Sequence, residues 1–485
     1  MPPRDAWRLF MEADMKRLTL FLAAALILTA AAANAFVRPA GLFTDNAVLQ
    51  QGMPIPVWGM ATKDEQVTVT FAGQTVSTVA KDGKWMVKFK PVKAGGPYKM
   101  TIAGENVIDL NNILVGEVWI CSGQSNMEFH LYTASNGAEA IKDSADPMLR
   151  LFTVPKKTSY TPVDDVTASW QPCSPETSPA FSAVGYFFGR DLRKALNVPV
   201  GLINSSWGGT YAQAWTSPEG MQTNEEFARI YAEGMNRKGD GPNNPCVLYN
   251  GMIHPLQPFA FRGVIWYQGE ANAGAAYQYR TLFPTMIKSW RNAWGEGDFP
   301  FLFVQLAPFM KINPEPEEST WAELREAQLL TTFDTPKTGM AVITDVGNPD
   351  DIHPKQKEPV GDRLALAARA IAYRQKLVFS GPIYKSMKVK GSEAIISFNY
   401  VGSGLEAKDG DLKGFTIAGE DKKFVNATAK IVGKTVVVSS PQVPNPVAVR
   451  YGWANCPVVN LYNKEGIPAS PFRTDDFQML TAPKK

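Results

Sequence analysis

Apolar and polar side chains alternate one by one along Gln66-Val-Thr-Val-Thr-Phe71. They do so again along Lys84-Trp-Met-Val-Lys-Phe89, after a turn at Asp82-Gly83. Period-two alternation sends successive side chains to opposite faces and predicts half-buried strands. No stretch of residues 36–112 carries helical periodicity of useful length, so a small N-terminal β-sandwich is expected there. From residue 113 the rhythm changes. Ile113–Cys121, Val198–Ile203, Phe261–Tyr267, Phe301–Gln305 and Met340–Thr344 read as short apolar strands. Between and after them, 181–196, 277–294, 320–333 and 359–374 read as helices. After about residue 377 β patterns return, as in Ala394-Ile-Ile-Ser-Phe-Asn and Lys434-Thr-Val-Val-Val-Ser, punctuated by Gly and Pro. The expected organisation is therefore a β segment over 36–112, an α/β segment over 113–376 and a β-rich segment over 377–485.

Strands that are apolar throughout and alternate with helices indicate βα units and a parallel sheet buried on both faces. Ligands of such sheets sit beyond the carboxyl ends of the strands. Chemistry is expected just after residues 121, 203, 267 and 344.

Residues 1–35 have the pattern of an export leader. Met15-Lys16-Arg17 is a positive start, Leu18 to Ala33 an uncharged apolar run, and Ala33-Asn34-Ala35 a small-residue cleavage site. The run is short for a bilayer span, which needs about 20 residues. The mature chain is expected to be exported, periplasmic or extracellular, and without stable membrane association. Losing the leader removes four basic and three acidic residues, and the whole chain carries only +3, so nothing in the charge favours nucleic acid. At 45% hydrophobic and 20% charged, the chain is core-forming rather than disordered. Four cysteines, Cys121, Cys173, Cys246 and Cys456, form no CxxC; one disulfide or buried free thiols both fit. Only three histidines exist, His130, His254 and His353, and they are too scattered for a metal cluster. No HExxH is present, and neither a metal nor a cofactor is expected.

The predicted strand ends carry unusual residues. After the first comes Cys121-Ser-Gly-Gln-Ser-Asn-Met127, where a tight Gly-containing turn would present Ser125 at the sheet edge and helix-start N–H groups to an anion. An N-cap role for Ser122 or Ser125 is the plainer alternative. Met127 excludes the G-x-S-x-G elbow of ordinary α/β-hydrolases. After the second strand comes Asn204-Ser-Ser-Trp-Gly-Gly-Thr210, whose paired glycines allow either a close ligand approach or simply a turn. After the third comes Trp266-Tyr-Gln-Gly-Glu-Ala-Asn272, with Gln268, Glu270 and Asn272 around a glycine. The fifth leads to Asp345-Val-Gly-Asn-Pro-Asp-Asp-Ile-His-Pro354. There His353 follows acids that can orient it as a general base. Pro354 suits a first helical turn, which would place His353 near an N-cap.

Ser-Gly-Gln-Ser-Asn-Met, Trp-Gly-Gly-Thr…Ala-Trp, Trp-Tyr-Gln-Gly-Glu-Ala-Asn and Asp-Ile-His-Pro together resemble the sialate O-acetylesterase family of the SGNH/GDSL hydrolases. Phe43–Gln50 with Val57-Trp-Gly59, Arg325-Glu-Ala-Gln328, and Val449–Trp453 through Asn460–Asn463 extend the likeness over nearly the whole mature chain. The resemblance implies a flavodoxin-like three-layer α/β/α core with a parallel sheet, flanked by N- and C-terminal β domains. It implies a serine esterase that removes acetyl groups from O-acetylated sugars or oligosaccharides through an acetyl-enzyme. Ser125 would be the nucleophile and His353 the base, with Asp351, or alternatively Asp350, as the orienting acid. The oxyanion would be held by the Ser125 N–H, a Gly208 or Gly209 N–H and the Gln268 amide. Gln124, Asn126, Trp207, Glu270 and Asn272 would contact substrate. Acetylated plant polysaccharide such as acetylxylan is the second candidate substrate, and a non-catalytic secreted carbohydrate-binding protein the alternative of another class. The oligomeric state stays open.

Overall fold

The computed structural model describes residues 36–483 apart from 238 and 240. The expected leader lies outside the described residues. Strand β1 (Val107–Gly123) runs for 17 residues as the spine of an eleven-stranded mixed sheet. Its first half pairs with Gly95–Ala103 antiparallel, while its middle pairs with Val48–Gln50 in parallel. Its second half lies between two parallel strands of the α/β part. The boundary expected after residue 112 thus falls inside one strand. Burial along β1 marks the change: it is intermittent up to Asn112 and complete from Ile113 onward, where the strand becomes covered on both faces.

The other strands of this part are β2 (Asp146–Thr153), β3 (Gln171–Cys173), β4 (Val200–Ser206), β5 (Gly263–Tyr267), β6 (Phe301–Val304) and β7 (Thr338–Ala341). Their order is β3-β2-β4-β1-β5-β6-β7, parallel throughout except for β3 against β2. Strand β2 has no counterpart in the expectation from sequence. It carries Arg150 in its middle, and burial there is made possible by hydrogen bonds from the guanidinium to the Pro147 carbonyl and the Asn46 side chain.

Among the helices are the single turn α1 (Ser125–Glu128), then α2 (Ala183–Leu196), α3 (Glu225–Arg237), α4 (Ala276–Trp294), α5 (Thr320–Asp334) and α6 (Glu358–Ile371). Ser182 and Ser319 cap α2 and α5 by accepting the Gly185 and Ala322 N–H groups. Successive sheet residues enter different cores. Ile120, Ile203, Val264, Trp266 and Phe303 pack with Phe283 and Trp290 of α4 and Leu324 of α5. Trp119, Cys121, Leu202, Ile265 and Leu302 pack with Phe187 of α2 and Leu364 of α6.

Beyond residue 380 the chain forms two four-stranded sheets and a two-stranded one, around a separate apolar core that includes Ile396, Phe415, Val438 and Tyr451. Arg325 ties this region to the sheet. Its buried guanidinium donates to the Leu306 and Ala307 carbonyls after β6 and to those of Ala454 and Asn455. Cys121, Cys173, Cys246 and Cys456 are buried free thiols. Among the described residues no helix is long and apolar enough to cross a membrane.

Candidate active site

At the end of β1 the backbone turns sharply at Gly123, with φ of 137°. A Cβ there would meet the Tyr267 carbonyl oxygen at 2.2 Å, so only glycine lets β1 and β5 stay this close. The turn delivers Ser125 to the first position of α1. The Met127 and Glu128 N–H groups bond to the Gln124 carbonyl, and those of Ser125 and Asn126 have no intrahelical acceptor.

His353 arrives from the loop after β7, and its Nε2 lies 2.8 Å from Ser125 Oγ. The helix read over 359–374 begins at Glu358, with Pro359 in its first turn and Lys357 as N-cap, so Pro354 does not stand in a first helical turn. His353 is therefore a loop residue. Burial holds its imidazole below the ordinary range; Asp351 opposes this, and the Lys357 charge adds to the lowering. Asp351 Oδ1 accepts the His353 backbone N–H at 2.8 Å and lies 3.6 Å from Nδ1, beyond direct hydrogen-bond length. Asp350 is exposed, and its own N–H is held by Asn348. The other two imidazoles are engaged elsewhere, His130 with the Ala180 carbonyl and His254 with that of Val163.

The expected oxyanion donors are disposed unequally. Gly208 lies against Ser125, for a Cβ added to it would be 3.2 Å from Ser125 Cβ. Its N–H, however, donates to Glu128 Oε2 at 2.7 Å. Gly209 has φ of 73° and open space around it. Gln268 is wholly buried, and both of its amide protons are used, toward the Thr210 carbonyl (3.1 Å) and Asn272 Oδ1 (2.7 Å). Its carbonyl accepts from the Tyr279 hydroxyl. In this arrangement Gln268 carries the loop after β5 rather than a free donor.

The residues expected to contact substrate also divide. Gln124 Oε1 accepts the Gly269 and Ala271 N–H groups and so fixes the loop after β5. Asn272 is buried, accepting from Ala212 N–H and donating to Gln213. Asn126, wholly buried, donates to Glu270 Oε1 (2.6 Å) and to the Ile352 carbonyl (3.0 Å). Burial raises the Glu270 carboxyl above the ordinary range, against the opposing Asn126 hydrogen bond and Lys357 charge. Trp207 presents a partly exposed ring, with Lys156 Nζ 5.5 Å from its centroid.

Three neighbours were not expected: Glu128, Lys156 and Lys357. Glu128 sits one helical turn past Ser125, a spacing that faces the same site, whereas Lys357 follows His353 by four residues of loop, where spacing carries no facing signal. Lys156 follows β2, and without that strand its position could not be read. Lys156 pairs with Glu128 Oε1 at 2.5 Å. Among the described residues no three His, Cys, Asp or Glu side chains converge to hold a metal ion.

The family described as carbohydrate esterase, sialic acid-specific acetylesterase matches residues 115–370. The sialate O-acetylesterase of Mus musculus is 30% identical over 504 residues, covering 89% of this chain and 93% of the relative. That of Homo sapiens is 30% identical, covering 86% and 88%. A solved carbohydrate acetylesterase from Xanthomonas citri is 43% identical with a TM-score of 0.85, covering 91% of this chain and 100% of that one. The chain belongs to the carbohydrate esterase, sialic acid-specific acetylesterase family.

Proposed function

We propose that this carbohydrate O-acetylesterase works by a Ser125–His353–Asp351 mechanism. The 2.8 Å approach of Ser125 Oγ to His353 Nε2 is the observation that carries the reading. With the imidazole proton on Nδ1, facing Asp351, Nε2 accepts the Ser125 proton as Oγ attacks the acetyl carbonyl. The tetrahedral oxyanion is met by the Ser125 N–H and the N–H of Gly209. His353 then returns the proton to the leaving sugar oxygen, and water activated by His353 releases acetate from the acetyl-enzyme. Gln268 acts by holding the loops of β4 and β5 in place.

The core is read as a three-layer SGNH-type α/β/α unit over 113–376, flanked by β regions over 36–112 and 377–485. The alternation of sheet residues between two helix-covered cores supports that reading. Export with cleavage after Ala35 belongs to the same proposal; N-terminal sequencing of secreted protein tests it.

The surroundings of Ser125 favour a neutral acetylated sugar, such as a xylo-oligosaccharide, over sialate. Glu128 holds the Gly208 N–H beside the nucleophile and Asp351 lies against His353, while Lys156, an exposed cation near them, is already paired with Glu128. Acetate release from acetyl-xylo-oligosaccharides, from O-acetyl sialate and from its methyl ester tests substrate class and chemistry together. Ser125→Ala should abolish release from each. Release that survives Ser125→Ala, or no release from any ester, would overturn the mechanism and revive a binding role.

A further inference from the structure

Lys357 is wholly buried beside the site, and the proposed mechanism leaves it without a task. Its Nζ donates to Asn126 Oδ1 and lies over the faces of Phe129 (4.6 Å) and Tyr267 (5.3 Å). Glu270 and Asp351 act on it through space, and burial pushes the ammonium down to about 7. An ammonium without a touching carboxylate is expensive inside a protein and is held only by strong local structure.

The hydrogen bonds show what it could hold. Asn126 follows Ser125 directly. With its Oδ1 taken by the ammonium, its amide N–H groups point to Glu270 and to the carbonyl of Ile352, the residue before His353. One side chain thus links α1, the loop after β5 and the histidine loop, and Lys357 sets its orientation. The same ammonium repels a proton on His353.

We propose that Lys357 is a positioning residue that orients Asn126 so that the His353 loop meets Ser125. Beside burial, its positive charge also disfavours the imidazolium of His353. The groups acting on His353 are Asp351 from its own loop, Lys357 from the N-cap of α6 and the Ser125 hydroxyl from α1. Those facing Lys357 are Asp351, with Glu270 after β5 and Tyr267 on it.

The inference rests on the esterase reading, and one set of pH profiles separates the two. Lys357→Met should lower kcat about tenfold with KM within about twofold, since a misplaced base affects the chemical step more than binding. The acid limb of kcat/KM should rise by about half a pH unit or more, because removing a cation eases protonation of His353. Lys357→Arg, which keeps the charge, should leave that limb at its wild-type position. Thermal unfolding of each variant tracks folding. In the wild-type protein, proton NMR should show the His353 imidazole titrating below its ordinary value of about 6.5. That measurement stands even if Lys357→Met fails to fold. An unmoved limb in Lys357→Met, the same movement in Lys357→Arg, or titration at or above the ordinary value overturns the inference. A wild-type enzyme without Ser125-dependent turnover overturns the esterase reading instead.

Discussion

The Gly208 N–H donates to the Glu128 carboxylate at 2.7 Å, so the amide packed against Ser125 is already held by an anion on the nucleophile's own helical turn. That anion is partnered by Lys156. Glu128→Gln keeps an acceptor for Gly208 but releases the Lys156 charge. The ratio of kcat/KM for free O-acetyl sialate to that for its methyl ester should rise about three- to tenfold at low salt and fall back at high salt. An unchanged ratio would remove Glu128 as a determinant of substrate charge.

Asp351 contacts His353 and Asp350 does not. Asp351→Asn should lower kcat about a hundredfold or more, while Asp350→Asn stays within about threefold. The direction of the pH effect follows from the sign of the charge. Asp351 raises the His353 pKa, so removing it moves the acid limb to lower pH even as the rate falls.

The Gln268 side chain bonds to Thr210, Asn272 and Tyr279, while its backbone carbonyl separately accepts from Gln328. Truncation leaves buried partners unsatisfied and a cavity behind. Gln268→Ala should therefore destabilise by about 2–4 kcal/mol, read as a lower urea midpoint at constant slope. A variant with wild-type stability and a hundredfold lower kcat would instead make Gln268 an oxyanion donor.

Lys357 also links stability to pH. Its ammonium titrates near 7 when folded and near its ordinary 10.5 when unfolded, so between those values the unfolded chain binds more protons. Stability should rise with pH over that window, by at most about 1.4 kcal/mol per pH unit from this group. Denaturant titrations at pH 7, 8 and 9 should show the slope in the wild-type protein and its reduction in Lys357→Met.

Much of the frame was legible because its signals are local. Apolar runs such as Val198–Ile203 and Phe261–Tyr267, separated by helical periodicity, gave strands whose carboxyl ends could be named in advance, and Ser125, Gly208, Gln268 and His353 all stand beyond strand ends. Strand β2 escaped because Arg150 interrupts its apolar pattern, and burying that guanidinium depends on Asn46, more than a hundred residues away in the chain. Strand β1 runs unbroken across the division expected after residue 112, because one strand serves both the N-terminal β region and the α/β core.

Sequence by itself determined which residue types stand at the strand ends, since periodicity and turn chemistry act over a few neighbours. It could not decide what each side chain does there. Gln268 and Asn272 have the same donors whether they face a substrate or each other, and only packing against Thr210, Gln213 and Tyr279 settles where those donors point. Asp350 and Asp351 are chemically alike, and the bend of one loop puts only Asp351 against His353. Lys357 is an unremarkable lysine in the chain. Tertiary folding buries it beside Asn126, where low dielectric lets one charge act on its neighbours.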